Sequence, residues 1–440
     1  MTIARHIATI ALFSSALATS AIAADIQQPV SDWTGWHVGA GVGYGMVNHE
    51  IDIDAPGLGT LDFSGFGGEG GLATLEAGYD LNVGSNFVLG AQVDYTYSGV
   101  STDINGFIGG LGSADYELEA THAISAIIRG GHLINDNTLM YSLIGWTHTW
   151  WNGDLGVADN NGAPVFGASY DYDTDGLTLG GGIESAIANN TTLKLEYRYT
   201  MNEDANIFTI PGFLSIDENA NVHTARAVLS YRPGVMGADF DGSEERWNGL
   251  RVGIGGGYSM INHVLEASAG PAFGAELSGI GGEGFFGTAE VGYDILLADR
   301  FVAGIQGDYS LSTASTDLDA AAFGGSLSYE LEATHSASAL LRAGVLSSPD
   351  VLWYGIAGYT HTWFNGDLDV PGLFSASYDF DEGGLTAGAG VEVMLTDNVS
   401  WKSEYRYTNL GDVNIFSGGG FTLDSATNIQ QVRSVLTYRF

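Results

Sequence analysis

The 440-residue chain contains no cysteine, only 8 prolines, and only 14 lysines and arginines against 52 aspartates and glutamates. Without cysteine there can be no disulfide scaffold, thiolate metal site or thiol nucleophile. So few basic residues exclude nucleic acid as a partner, because phosphate binding needs a positive surface. Beyond the N-terminus there is also no run of roughly 18 apolar residues, the length a transmembrane helix requires. If the chain crosses a bilayer, it must do so with strands. Plentiful instead are glycine (65), tyrosine (21), phenylalanine (20) and tryptophan (9), which at short intervals suit an all-β chain.

The N-terminus reads as an export signal. Arg5 and His6 precede an apolar run from Ile7 to Leu17, and Ala21-Ile22-Ala23 closes it with the small-x-small pattern of a cleavage site. Residues 1–23 are therefore expected to be removed. The mature chain would start near Ala24, and loss of Arg5 takes the formal charge from −38 to −39.

The remainder is a tandem duplication. YELEATH at Tyr116–His122 recurs at Tyr329–His335, THTW at Thr147–Trp150 recurs at Thr360–Trp363, and EYRYT at Glu196–Thr200 recurs at Glu404–Thr408. AVLSYRP from Ala227 matches SVLTYRF from Ser434, and each copy opens on a tryptophan, Trp33 and Trp247. The boundaries expected are one unit over 33–232, a linker over 233–246, and a second unit over 247–440. The offset between copies falls from 214 at Trp33 to 213, 208 and finally 207 at Asn221. Each change falls in a long connection, as expected where insertions land in exposed loops. Long connections (about 48–70, 102–113, 154–166 and 202–220) alternate with short ones (82–86, 134–138 and 188–191), the pattern of an outer-membrane barrel.

Between the connections lie eight segments per copy, each about 10 residues long, enough to cross a bilayer as tilted strands. Leu89, Ala91, Val93 and Tyr95 alternate with Gly90, Gln92 and Asp94; Leu195, Tyr197 and Tyr199 alternate with Lys194, Glu196 and Arg198. One face is apolar with tyrosine at its ends, and the other is glycine and charge. A charged face turned outward would leave glycines such as Gly39, Gly41 and Gly43 to fill a core, which they cannot do. Turned inward, the charges can pair while tyrosine and leucine meet lipid. The first copy places Arg129, Lys194, Arg198 and Arg226 on the inner face with Glu76, Asp80, Asp94, Glu184 and Glu196. The second repeats them as Arg342, Lys402, Arg406 and Arg433 with Glu290, Asp294, Asp308, Glu392 and Glu404. These residues are expected to form a salt-linked network that plugs the interior and fixes strand register.

The opening DWTGWHVGAGVGYG, the EYRYT strand and the terminal VLTYRF resemble the opacity-type eight-stranded outer-membrane barrels, a family of surface antigens. The resemblance covers both copies. It implies that Tyr438 and Phe440 form the aromatic end presented to the barrel-assembly machinery. Typical members carry one unit, and their barrels often bear basic residues near the outer leaflet. Here only six basic residues lie off the interior set, so divalent cations are expected to bridge the acidic loops to lipid phosphate.

Other motifs carry little chemistry. Asp171–Gly176 (DYDTDG) matches half of a calcium loop but has Gly182 where the twelfth-position glutamate should stand. His122 and His148, with His335 and His361, border long connections among Trp146, Trp150 and Trp151, and no nucleophile accompanies them. Gly67-Gly68-Glu69-Gly70, repeated at 281–284, reads as loop glycine. No enzyme activity, cofactor or metal is expected. The fold class is an all-β transmembrane antiparallel barrel, either two eight-stranded units or one 16-stranded ring. The charge-paired interior and the long linker favour two plugged barrels with a structural or surface-interaction role. A single wide ring would instead be a porin passing small, preferably cationic solutes.

Overall fold

A computed structural model describes residues 32–440 apart from 56–58, 211–213, 241–242, 271–272, 298, 323–324, 372–373 and 419. The sequence expectation of a signal segment at 1–23 lies outside the described residues. The first copy comprises β1 (Gly35–Ala55), β2 (Gly59–Val83), β3 (Phe87–Ile108), β4 (Gly112–Asn135), β5 (Thr138–Ala158), β6 (Pro164–Ala188), β7 (Thr191–Asn202), β8 (Ala205–Ile210) and β9 (Leu214–Tyr231). The second comprises β10 (Gly249–Ser268), β11 (Phe273–Leu297), β12 (Phe301–Ala322), β13 (Gly325–Ser348), β14 (Val351–Val370), β15 (Phe374–Met394), β16 (Val399–Gly418) and β17 (Phe421–Arg439). Both β7 and β8 pair with β9, so together they make one interrupted wall strand equivalent to β16.

Within each copy neighbouring strands pair antiparallel, and the first strand also pairs with the last: β1 with β9 from Val38↔Tyr231, and β10 with β17 from Arg251↔Arg439. Each copy therefore closes its own eight-stranded ring across the membrane. A single wide ring at this level would need β9 beside β10, and no such pairing occurs among the described residues. Within the membrane band closure leaves no strand edge bare among the described residues, the condition for strands to survive in hydrocarbon.

The outer faces follow the alternation in the sequence. Leu75, Val93, Ile128, Ile254 and Leu385 stand exposed to the surroundings, with Tyr79, Tyr95 and Tyr97 at the ends of the band. Most strands run 20 residues or more, for example 25 in β2 and 22 in β3, about twice what a bilayer needs. Much of what the sequence suggested as long loops is thus hairpin continued into the extracellular space. Continued pairing satisfies backbone groups that an irregular loop would leave to water.

In that extension the two walls join. β2 and β3 part company above Glu69↔Ser101, and β11 and β12 above Glu283↔Ser315. β11 then pairs with β3 from Ser278↔Asp103 to Phe273↔Ile108, while β2 reaches β12 at Thr60↔Ala321. All strands consequently share one closed sheet. β2 and β11 cross at their glycines: a Cβ on Gly67 would stand 3.0 Å from the Gly281 Cα, and one on Gly279 (φ +106°) would strike the Gly67 carbonyl. The GGEG motif is accordingly strand, not loop, and marks the fork where two barrels become one wall.

Below the fork the barrels touch through side chains. Val351, Val391 and Val393 point outward from the second barrel yet are wholly buried, packed with Ile183 of the first and with the partly buried Leu195, Met140, Trp353 and Trp401. Ile183, Leu195, Tyr197 and Tyr199 therefore face the neighbouring barrel rather than lipid, a correction to the simple outward-equals-lipid reading.

Candidate functional site

Chemistry could sit in two places: the bores and the junction. Each bore is layered. At the short-turn end Trp33 packs with Leu133, Leu139, Ala186 and Val235 in the first barrel, and Trp247 with Leu346, Leu352 and Met394 in the second. Arg232 lies over the Trp33 ring and Arg439 over Trp247, at 5.0 and 4.5 Å, so the tryptophan opening each copy becomes a stopper held by a cation.

Above the stopper sit the charges. All eighteen interior residues singled out in the sequence point into the bores, none more than 7% exposed. In the first barrel Arg129 donates to Asp80 at 3.0 Å and to Glu184 at 2.8 Å. Higher up, the Lys194 Nζ meets both Glu76 oxygens at 2.7 Å. Arg198 bridges Asp94 (2.9 Å) and Glu196 (2.7 Å), and Arg226 donates to Glu196 at 2.7 Å. The second barrel repeats this with Arg342 on Glu392, Lys402 on Glu290, Arg406 on Glu404 and Asp308, and Arg433 on Asp308.

The bores also contain groups that sequence reasoning missed. Arg232 pairs with Asp80 at 2.6 Å and with Glu184 at 3.3 Å, and Arg439 with Asp294 and Glu392, both at 2.9 Å. Both stand in the repeated end strand, so repetition was a usable signal. Arg251 binds Glu290 and Asp294 where the first copy has His37; no repeat pointed to it. Tyr141 and Tyr354 donate to Glu196 and Glu404 at 2.5 and 2.8 Å. Inner-face glycines make the room: a Cβ at Gly90 would collide with the Asp80 carboxylate, and one at Gly304 with Asp294.

A belt of hydroxyls follows: Ser125, Thr147, Thr178 and Thr200 are linked at 3.0, 2.5 and 2.9 Å, and Ser338, Thr360, Thr386 and Thr408 at 3.0, 2.5 and 2.8 Å. Apolar caps close the upper ends, with Val47, Val100, Leu118 and Trp151 in one barrel and Ile261, Leu331, Phe364 and Leu410 in the other. A cavity bordered by Leu72, Thr149 and Arg226 remains between belt and cap in the first barrel. In the second, Phe286 stands in place of Leu72 and lies beside Arg433, 5.2 Å away. Above the membrane band Glu382 is buried beside Thr427, and burial pushes its carboxyl up to about 7.

The junction is a pseudo-two-fold clasp. Glu69 reaches from the first barrel to accept hydrogen bonds from Tyr407 (3.2 Å), Asn428 (3.2 Å) and Gln430 (2.9 Å) of the second. Its counterpart Glu283 reaches back to His223 at 2.9 Å, and His223 stacks on Tyr258 with Tyr199 tilted against its ring. The remaining sequence candidates lie elsewhere. Tyr438 and Phe440 are exposed on the outer wall with their rings 5.0 Å apart. Asp171, Asp173 and Asp175 face outward from β6 as an alternating series, and no group of three or more metal-ligating side chains occurs among the described residues.

A closed antiparallel wall with a greasy tyrosine-edged exterior, short turns at one end and paired charges inside defines a β-barrel protein of the outer membrane. The chain belongs to the outer membrane protein beta-barrel domain family, which matches twice, over residues 9–232 and 243–440. It is 29% identical to the 31 kDa outer-membrane immunogenic protein of Brucella melitensis over 203 residues, 44% of this chain and 84% of that protein. It is 32% identical to the 25 kDa outer-membrane immunogenic protein of Brucella abortus over 32% of this chain and 60% of that protein. With the 22 kDa outer membrane protein of Rhizobium leguminosarum it shares 27% identity over 39% and 66% respectively. Among solved structures, Neisserial surface protein A is similar over 43% of this chain and 97% of its own, at 16% identity and a TM-score of 0.22.

Proposed function

We propose that the protein works at the cell surface as a pair of non-conducting barrels whose role lies on their outer and extracellular surfaces rather than in transport through the bores. The observation that carries this reading is the buried salt-linked layer spanning each eight-stranded bore, with apolar side chains above and below it. A charge inside a narrow barrel is tolerable only when paired, and pairing across the bore leaves no water-wide path. The network's role is to fill the bores and hold strand register. Planar-bilayer recording tests this: reconstituted protein should give no steady channel, and large stable steps would reject the closed bores in favour of a diffusion pore.

Apart from Arg246 and Arg300 near the short turns, every lysine and arginine after residue 23 points into a bore, so the extracellular hairpins carry carboxylates alone. Such a wall would repel lipid phosphate. Divalent cations are proposed to bridge the two, and chelator-insensitive association with phosphate-bearing liposomes would count against that bridge. Tyr438 and Phe440 are proposed as the assembly signal; unchanged membrane insertion in cells after deletion of Phe440 would remove that role.

A further inference from the structure

On the outer wall of the first barrel, just above the lipid-facing band, lies a shelf of aromatic and hydrogen-bonding side chains that closed bores do not require. Cross-strand pairing sets His122 beside Trp150, Trp150 beside Asp173, and Asn152 beside Asp171. Asn152 donates to Asp171 at 2.8 Å, and the His148 Nδ1 lies 2.8 Å from Asp175. Next to the register shift between Ala120 and His122 a shallow, open groove lies on the wall, lined by Tyr95, His122, Trp150, Asn152, Asp171 and Asp173. Every one of these recurs with the same identity in the second copy, as Tyr309, His335, Trp363, Asn365, Asp379 and Asp381, while greasy neighbours have drifted from Ile144 to Ala357 and from Leu179 to Ala387. These outward groups bond to one another, as Asn152 does to Asp171, and neither bore nor the junction uses them.

We propose that this groove binds the uncharged sugar headgroup of an outer-leaflet glycolipid. An indole offers an electron-rich face to the C–H face of a sugar ring, and carboxylates with an amide accept from and donate to its hydroxyls. No lysine or arginine borders the groove, so a phosphate headgroup finds only like charge. Ile124, Ile144 and Trp146 lie immediately below on the same wall, where the tails of a lipid seated in the groove would run. In the second barrel His335 lies flat on Trp363, ring centres 4.5 Å apart and planes 13° from parallel, and covers that face. One site per chain is therefore open.

Native mass spectrometry of the full chain in detergent tests the proposal, with monogalactosyl diacylglycerol, phosphatidylcholine and phosphatidylglycerol of matched acyl chains as probes. One galactolipid should be retained per chain, with about tenfold preference over either phospholipid, a difference of roughly 1.4 kcal/mol. Trp150→Leu combined with Asp173→Asn should reduce galactolipid retention to the phosphatidylcholine level while heat-modifiable gel mobility shows the barrel still folded, and His335→Ala should admit a second galactolipid. Equal retention of the three lipids by the unmodified chain, or undiminished retention by the double variant, would overturn the site. Displacement by methyl galactoside at matched concentration would overturn the lipid-anchored source.

Discussion

Single residues in the bores do opposite work to single residues in a soluble core, because their charges are stabilising only as sets. Lys194 holds the Glu76 carboxylate by two contacts and has Gln92 at 3.4 Å. Removing one member of a buried pair strands the other, typically at a cost of about 3–5 kcal/mol. Lys194→Met should therefore lower urea resistance in lipid vesicles by roughly that amount, and adding Glu76→Gln should restore much of it. A second residue sets a pH dependence. Burial lifts the Glu382 carboxyl to about 7, above its ordinary value near 4.5, so the folded state holds that proton more tightly than the unfolded chain. The stabilisation is complete below the ordinary value and is lost as pH rises through about 7. Amide exchange in the upper parts of β14 and β15, corrected for base catalysis, should thus quicken between pH 5 and 8, and Glu382→Gln should abolish that change.

At the scale of elements, the long strands change partners partway along their length. β2 leaves β3 and β11 leaves β12 at Glu69 and Glu283, and the glycines beside them let the two strands cross in backbone contact. Gly281→Val places bulk where the Gly67 backbone lies. It should separate the joined wall while leaving the membrane rings intact, seen as faster amide exchange confined to 103–108 and 273–278 with unchanged heat-modifiable mobility. Unchanged exchange in those segments would show that the crossing tolerates side chains. The clasp below is built from equivalent residues of both copies, but His223 faces Glu283 where Gln430 faces Glu69. Duplication supplied the symmetry and later substitution broke it.

As a whole molecule the protein is a built-in dimer. Val235 of the linker is buried in the base of the first barrel and Phe240 stacks on Arg300 of the second at 3.8 Å, so the connector is itself packed. With Ile183 and Val391 in contact and the extracellular walls paired, the covalent link should be dispensable once folding is complete. Cleavage at a protease site inserted within 237–242 should leave the two halves co-eluting in mild detergent; their separation would mean that the junction contributes little.

Much of this was legible residue by residue. Period-two alternation, tyrosine at the band edges, absent cysteine and the twofold repeat lead to a barrel in lipid with charges inside, because a strand's two faces see two solvents and each position declares which one it suits. Arg232 and Arg439 were within reach of the same logic through the repeated end strand. What alternation cannot say is what lies beyond an outward face. Tyr197, Tyr199 and Ile183 have the composition of lipid-facing residues and meet the second barrel instead, since protein and hydrocarbon surfaces make the same demand for apolar area. Nor could spacing reveal that GGEG is a strand crossing, or that ring closure gives way to a shared wall. Those depend on contacts between residues some two hundred positions apart, which only the folded chain brings together.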